Sequence, residues 1–495
     1  MRLNLVGPAY DTALIDFSQQ KCINWYPDLD DNGAVDPKYR MILRPTPGIV
    51  QGVDFDDFTS GRASIVYRDI GYCILDNTFC KVETTGVPSY IDVLSTSKGY
   101  VAMAGGSNGI IMADGTYAYF YDLSTHTFSR ITDADLPANP IGCAYYDGYY
   151  ILIFQDSEKF YYSLDPTAWD ALDFNSVNTT ADYLTGVFAD HQELWFFGTS
   201  SVEVFYNSGD KDAPLQRRPG IFIPKGCRAP NTICAVDNGF YWLGNDIGGG
   251  YRVYRSNGYN AELLPAQGGI ATQIDSYDTI SDAYAFVHNV GVHQFYVLTF
   301  PTEQVTWVFD LGLGLWHQRA SIVTTNPFSS SYEPYLKAHR GKNHFFVNNT
   351  HYVLDQYSGA ISYYDNDTFT EFGQPILRQR RTSQLSADSR TGGEVQVYNN
   401  QLHTYRRLVL NMVTGVALSS GQGSDPQVML SISTDGGHTW ADAGNQPIGV
   451  LGDYNSEIKW DMLGQARAMV FDIRVTDPVR AVLLGGTCEV DKDTN

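Results

Sequence analysis

The sequence predicts an all-β protein, a β-propeller of six or seven blades plus a β-sandwich-like domain built from C-terminal strands and open to N-terminal ones. The first observation is a recurring hairpin unit: CAYYDGYYILIF (143–154), CAVDNGFYWLG (234–244) and IIMADGTYAYFY (110–121) each set Asp-Gly or Asn-Gly between apolar and aromatic runs. These dipeptides supply the positive φ angles that tight hairpin turns need. Looser copies are SIVYRDIGYCIL (64–75), GVFADHQELWFFG (186–198), AFVHNVGVHQFYVL (285–298) and AHRGKNHFFV (338–347). The second observation is spacing. The turns fall near positions 69, 114, 147, 190, 237, 289 and 340, and all intervals but one match the roughly 40–50 residues of a four-stranded propeller blade. The third is composition: 34 Tyr, 25 Phe and 46 Gly suit pleated strands joined by tight turns. Helical periodicity is nearly absent.

Taken in order, residues 1–59 form an N-terminal segment punctuated by Pro8, Pro27, Pro37, Pro45 and Pro47. Within it, DLDDNGAVDPKY (28–39) spaces Asp28, Asp30, Asn32 and Asp36 like a calcium loop with Gly33 at the turn. The twelfth position is Tyr39, where such a loop requires a bidentate Glu, so the stretch reads as an acidic turn. Residues 60–365 hold the propeller, with further strands such as KFYYSL (159–164), VEVFYN (202–207) and TWVFDL (306–311) between the hairpins. Residues 366–404 read as a linker or long loop. Their QPILRQRRTSQLSADSRTGGE (374–394) is polar and carries a basic cluster at Arg378, Arg380 and Arg381, trailing to Arg390. From 405 to 495, alternating runs at 405–413, 426–434, 456–463, 468–475 and 481–490 predict five antiparallel strands with one buried face.

The net charge of -22, with 33 basic residues against 55 acidic ones, excludes a protein whose whole surface neutralises phosphates. The seven cysteines are scattered without metal-ligand spacing and read as buried, reduced thiols of a protein made in the cytoplasm. No secretory leader and no run of 18 apolar residues is evident, so neither export nor a membrane span is expected.

Near the C-terminus, SISTDGGHTW (431–440) resembles the Asp-box turn of sialidase propellers through Ser433, Asp435, Gly437, Thr439 and Trp440. Asp435 can accept from turn amides, the glycines permit the backbone, and Trp440 packs beneath it, so every role is structural. A sialidase would carry several such boxes and an arginine triad gripping a carboxylate. One box outside the repeats argues against that enzyme, although an Asp-box propeller glycosidase or a glycan-binding attachment protein stays the alternative. His288, His293, His339 and His344 flank predicted turns and are expected to be exposed. No nucleophile elbow, phosphate loop or dinucleotide fingerprint occurs, so no catalysis, metal or cofactor is expected.

Two end segments resemble the packaged DNA stabilisation, or tail nozzle, proteins of short-tailed bacteriophages. QQKCINWYPDLDDNG…LRPTPGI (19–49) matches through Cys22, Ile23, Asn24, Tyr26 and Pro27, then Thr46, Pro47 and Gly48. Lys21 and Asp28 stand where the family commonly has Arg and Glu. DPQVMLSISTDGGHTW (425–440) followed by Arg474, Val475, Asp477, Pro478 and Val479 matches the family's C-terminal pattern. The resemblance implies a ring, commonly a hexamer, below the portal and its adaptor ring. Such a ring extends the DNA channel, retains the genome with a tail plug or needle, and carries fibres or spikes nearby. It further implies a virion-tail location, assembly in the host cytoplasm, and a tube or platform built from the N- and C-terminal regions. Genomic DNA would pass without specific binding. Asn24, Tyr26, Pro27, Arg378, Arg380 and Arg381 are the candidate adaptor- or subunit-contact residues.

Overall fold

Asp147 and Gly148 adopt φ of 47° and 91° between paired Tyr146 and Tyr149, the double left-handed turn that the Asp-Gly dipeptide predicts. Such hairpins build the propeller of the computed structural model, which describes residues 2–3, 5–10, 20–29, 41–53, 58–83, 87–177, 182–236, 238–245, 249–265, 268–323, 336–385 and 402–492.

Seven four-stranded units stand among the described residues: 61–93, 102–130, 140–176, 184–217, 234–263, 284–322, and a seventh made of 341–365 plus 48–53. We number them blades 1 to 7. Aromatic residues fill the spaces between them. Tyr72 and Phe79 of blade 1 meet Tyr119 and Tyr121 of blade 2, and Phe160 of blade 3 stacks on Phe196 of blade 4 with centroids 4.2 Å apart. Such a pair adds roughly 0.5–1.5 kcal/mol beyond its buried area. Cys73 and Cys80 of blade 1 pack on Phe345 and Leu354 of blade 7, which closes the ring. All seven cysteines are thiols, and six of them are buried.

Several expectations shift. The turn at 114 is the second hairpin of blade 2, not the first, and the blade's opening turn at 106–108 restores even spacing. Gly341–Val347 is one strand, and its hairpin turns at Asn348 and Asn349, whose φ values are 51° and 57°. The N-terminal segment contributes to both domains, and its Gly48–Val53 is the outer strand of blade 7, antiparallel to Ile361–Asp365. Gly52 is required by this pairing: a Cβ there would lie 2.2 Å from the Ile361 carbonyl oxygen. Gly52→Val is expected to peel the strand away, with amide exchange rising across blade 7 while blades 2 to 4 stay protected. Unchanged blade 7 protection would show that the strand is dispensable.

The sandwich has two sheets. In the first, Trp25–Leu29, Met41–Pro45, Leu483–Lys492, His403–Met412 and Ile458–Ala466 lie in that order, and Arg2–Leu3 also pairs with Leu483–Lys492. The second runs Cys22–Ile23, Arg378–Arg381, Val470–Val475, Gln427–Ser433 and Ala441–Pro447. Ala441–Pro447 is a sixth C-terminal strand beyond the five expected. Arg378–Arg381, expected within a linker, is an interior strand of this sheet; residues 386–401, Arg390 among them, lie outside the described residues. Cys22–Ile23 also pairs in parallel with Leu315–Ile322 of blade 6 (Ile23 opposite Gln318), so one sheet runs from the propeller into the sandwich.

Candidate functional site at the propeller–sandwich junction

The residues singled out in the sequence meet where blade 6, blade 7 and the sandwich join. Asn24 follows the Cys22–Ile23 strand with φ of 55°, a left-handed conformation that asparagine tolerates better than most side chains. Its Nδ2 donates to the carbonyls of Ala320 and Leu377, each at 2.8 Å, and its Oδ1 accepts from Ala320 N at 3.0 Å. Asn24 therefore ties blade 6 to the approach of the arginine strand. Trp25 Nε1 donates to Ala481 O at 2.8 Å.

The three arginines are inside the chain. Strand pairing sets Arg381 opposite Asp472, whose carboxylate is fully buried. Arg381 Nε and Nη2 donate to Asp472 Oδ2 at 2.9 and 2.7 Å, Gln379 Nε2 donates to both carboxylate oxygens, and Arg474 adds two contacts at 3.2 Å. Arg380 is wholly buried and caps carbonyls: Nε donates to Leu5 O at 2.7 Å, Nη1 to Pro8 O at 3.1 Å, and Nη2 to Gln20 Oε1 at 2.6 Å. Arg378 donates to Asp477 O at 3.0 Å, and burial lowers its pKa to about 10. A basic run in a polar stretch suggested a surface patch, but two flanking strands and a carboxylate 91 residues away enclose it. A contact with another protein through these guanidiniums would require opening the sheet. Arg380→Ala is expected to free the N-terminal carbonyls, so that amide exchange over 5–10 and 20–22 rises while the propeller stays protected. Equal exchange in both proteins would mean that the clamp is not needed.

Tyr26, Pro27 and Asp28 are also buried. Tyr26 packs edge-on against His293 and Phe295 of blade 6, and burial raises its hydroxyl to about 12. His293 is held from both sides, Nδ1 against Asp310 at 2.7 Å and Nε2 against Asp28 at 2.9 Å. The Asp310 hydrogen bond, opposed by burial and helped by both charges, raises its pKa. Arg44 pairs with Asp28 as well. Asp28 is thus part of an internal bridge; Asp30, Asn32 and Asp36 of the calcium-like pattern lie outside the described residues.

His288, His293 and His339 are buried, not exposed at turns: His288 faces His344, His351 and Tyr364 of blade 7, His293 faces Tyr26 and Asp28, and His339 shares a 2.8 Å hydrogen bond with Tyr364. His288 stacks on Tyr364 at 4.5 Å and accepts from Arg319 Nη1 at 2.7 Å, while His344 and His351 share a 2.9 Å contact. Sequence reading missed Asp472, Asp310 and Arg319, for which no local motif exists.

The Ser433–Trp440 turn is braced by its own side chains and amides. Ser433 Oγ donates to Asp435 Oδ1 at 2.7 Å, Thr439 N to the same oxygen at 2.9 Å, and Thr439 Oγ1 to Oδ2 at 2.6 Å. The Thr439 hydroxyl and amide hold the Asp435 carboxyl well below the usual range. Gly437 N donates to Ser433 Oγ at 2.8 Å, and the Trp440 ring lies 4.5 Å from the Arg381 guanidinium, which links the turn to the arginine strand. The junction is a mechanical clamp in which Asp472, Asp28 and Asp310 answer Arg381, Arg44 and His293 from within the chain.

The family model described as "Bacteriophage P22 Gp10, beta-propeller" matches residues 1–369, and "Bacteriophage P22 Gp10, beta-sandwich" matches residues 394–491. The chain belongs to the P22 Gp10 family. As a Gp10-family protein it is a structural component of the phage tail, a nozzle protein that stabilises packaged DNA and assembles with other virion proteins. The Gp10 propeller match takes in the first strands, which in space belong partly to the sandwich. No curated protein matches the chain significantly. Among solved structures, the N-terminal domain of Nup159 is 8% identical over 70% of this chain and 99% of that one, with a TM-score of 0.39. A chain from a S. cerevisiae assembly of Dbp5, Nup159 and Gle1 variants with IP6 and ADP is 10% identical over 65% and 95%, with a TM-score of 0.38.

Proposed function

We propose that this Gp10-family chain forms a ring, a hexamer on the family resemblance, beneath the portal and adaptor of a short-tailed phage. The ring extends the DNA channel, retains the genome together with a plug or needle, and conducts DNA at ejection, with fibres or spikes attached nearby. It is assembled in the host cytoplasm and has no catalytic task and no cofactor. The observation that best supports this reading is the sheet continuous from blade 6 into the sandwich, crossed by the N-terminal strands. A subunit so braced can bear the load of a pressurised channel without hinging.

The charge of -22 supports a further part of the reading: an acidic lumen that keeps DNA from adhering to the wall. Light scattering of the purified chain, alone and on its adaptor ring, tests the assembly. Rings on the adaptor are expected, and a monomer that binds glycans would favour an attachment protein. Electron microscopy of the ring should show a channel lined by Asp and Glu; a lining of Lys and Arg would overturn the non-stick mechanism.

A further inference from the structure

The two end segments that carry the nozzle resemblance close around one cleft. Tyr26, Arg44, Pro45 and Pro47 come from the first, and Arg480 directly follows the second. The cleft measures about 530 Å³, within the ~300–1,000 Å³ that holds a small ligand or a few peptide residues. The blade 6 turn forms one wall, with Val292 86% exposed at its tip, and Phe369 forms another.

The charges in this cleft do not balance. His293 and Arg44 occupy Asp28, and His293 also occupies Asp310. Arg480 is exposed and makes no hydrogen bond or ion pair with any described residue. The Tyr26 hydroxyl, on a residue only 5% exposed, also has no hydrogen-bond partner among the described residues and lines the same space. Among the described residues, then, a cation and a hydroxyl without partners line a recess with proline and phenylalanine walls, in a chain of net charge -22.

We propose that the cleft receives an acidic peptide segment of a neighbouring tail protein, an Asp or Glu carboxylate facing Arg480 and the Tyr26 hydroxyl while its stem lies on Pro45, Pro47 and Phe369. Charge complementarity selects the partner's sign, and the apolar walls select a peptide over a bare ion. Nucleic acid fits poorly, because tracking a phosphate backbone needs a row of cations and here one is unpaired. The inference rests on the nozzle reading for the partner's identity as a tail protein.

Calorimetric titration of the full chain with hexaglutamate at low salt tests it. Saturable binding of one peptide per chain is expected. Arg480→Glu should weaken it about tenfold or more, Tyr26→Phe several-fold, and Arg480→Glu should leave the melting temperature unchanged. Lys98→Glu, the same charge change on an exposed residue outside the cleft, should have little effect. Three results would overturn the proposal: no saturable binding, equal losses in the Arg480 and Lys98 variants, or displacement by inorganic phosphate or a short single-stranded oligonucleotide at matching affinity. Assembly on the adaptor is scored separately. A chain that forms rings but ignores the peptide sinks the cleft alone, and one that binds the peptide yet never assembles sinks the nozzle arrangement.

Discussion

Replacing Asp472 by alanine is expected to destabilise the junction by about 3–5 kcal/mol, because it leaves a buried guanidinium without its counter-charge. Asp472 has no exposed surface and accepts from Gln379, Arg381 and Arg474 at once. Without it, Arg381 stays sandwiched between strands and the Trp440 ring, unable to reach water without breaking the sheet. Asp472→Asn keeps the shape and an acceptor but removes the charge, and should fall between the two. Denaturant midpoints followed through tryptophan fluorescence measure the loss. An Arg381→Met, Asp472→Ala double variant should recover part of it, since the stranded charge is gone. A wild-type midpoint in Asp472→Ala would show that the guanidiniums are satisfied by other means.

Acidification is expected to have the second largest effect. Burial, first of all, and the neighbouring Arg319 push His288 and His317 well below the ordinary histidine value; burial lowers His344 to about 3, and lowers His339 and His351 as well. The unfolded chain titrates these imidazoles near 6.5. Below that pH it binds more protons than the folded chain, so the stability that they confer is complete above 6.5 and is lost as pH falls. Each fully buried histidine costs about 1.4 kcal/mol per pH unit over this window. For His344 the loss continues to about pH 3. His293 runs the other way: its carboxylates raise its pKa, so its contribution is present below 6.5 and fades as pH rises through the folded value. Melting temperature should therefore drop steeply between pH 6.5 and 5, and His344→Gln should flatten the slope by one histidine's share. A level profile across that range would mean that the imidazoles reach solvent.

What the sequence made legible was local. Asp147-Gly148 announces its own hairpin because its partners, Tyr146 and Tyr149, are adjacent. The Ser433–Trp440 turn is equally self-contained. Gly48–Val53 could not be assigned to blade 7, since its partner strand begins at Ile361 and the six residues GIVQGV fit many edges. Ala441–Pro447 escaped because an edge strand with most of its length in water has no need for apolar alternation. The arginines misled for a related reason: charge in a sequence signals surface unless a counter-charge is seen, and four strands separate Asp472 from Arg381 along the chain. The histidines packed between blades 6 and 7 show no motif, because their common property is a direction in space.

The braiding of the two chain ends also has a consequence in time. Trp25 waits for the carbonyl of Ala481, 456 residues later, which at ~5–20 residues per second is roughly 20 to 90 s of synthesis. Blades 1 to 6 have no need to wait, being built from consecutive hairpins. Gly48–Val53 can close blade 7 once Ile361–Asp365 is made, whereas Met41–Pro45 and Trp25 must wait for Leu483–Lys492 and Ala481, so the junction and its cleft form last. A chain ended before Val470 would therefore carry the strands of a closed propeller but lack those that complete the sandwich and the cleft, so the junction records that the polypeptide has been finished.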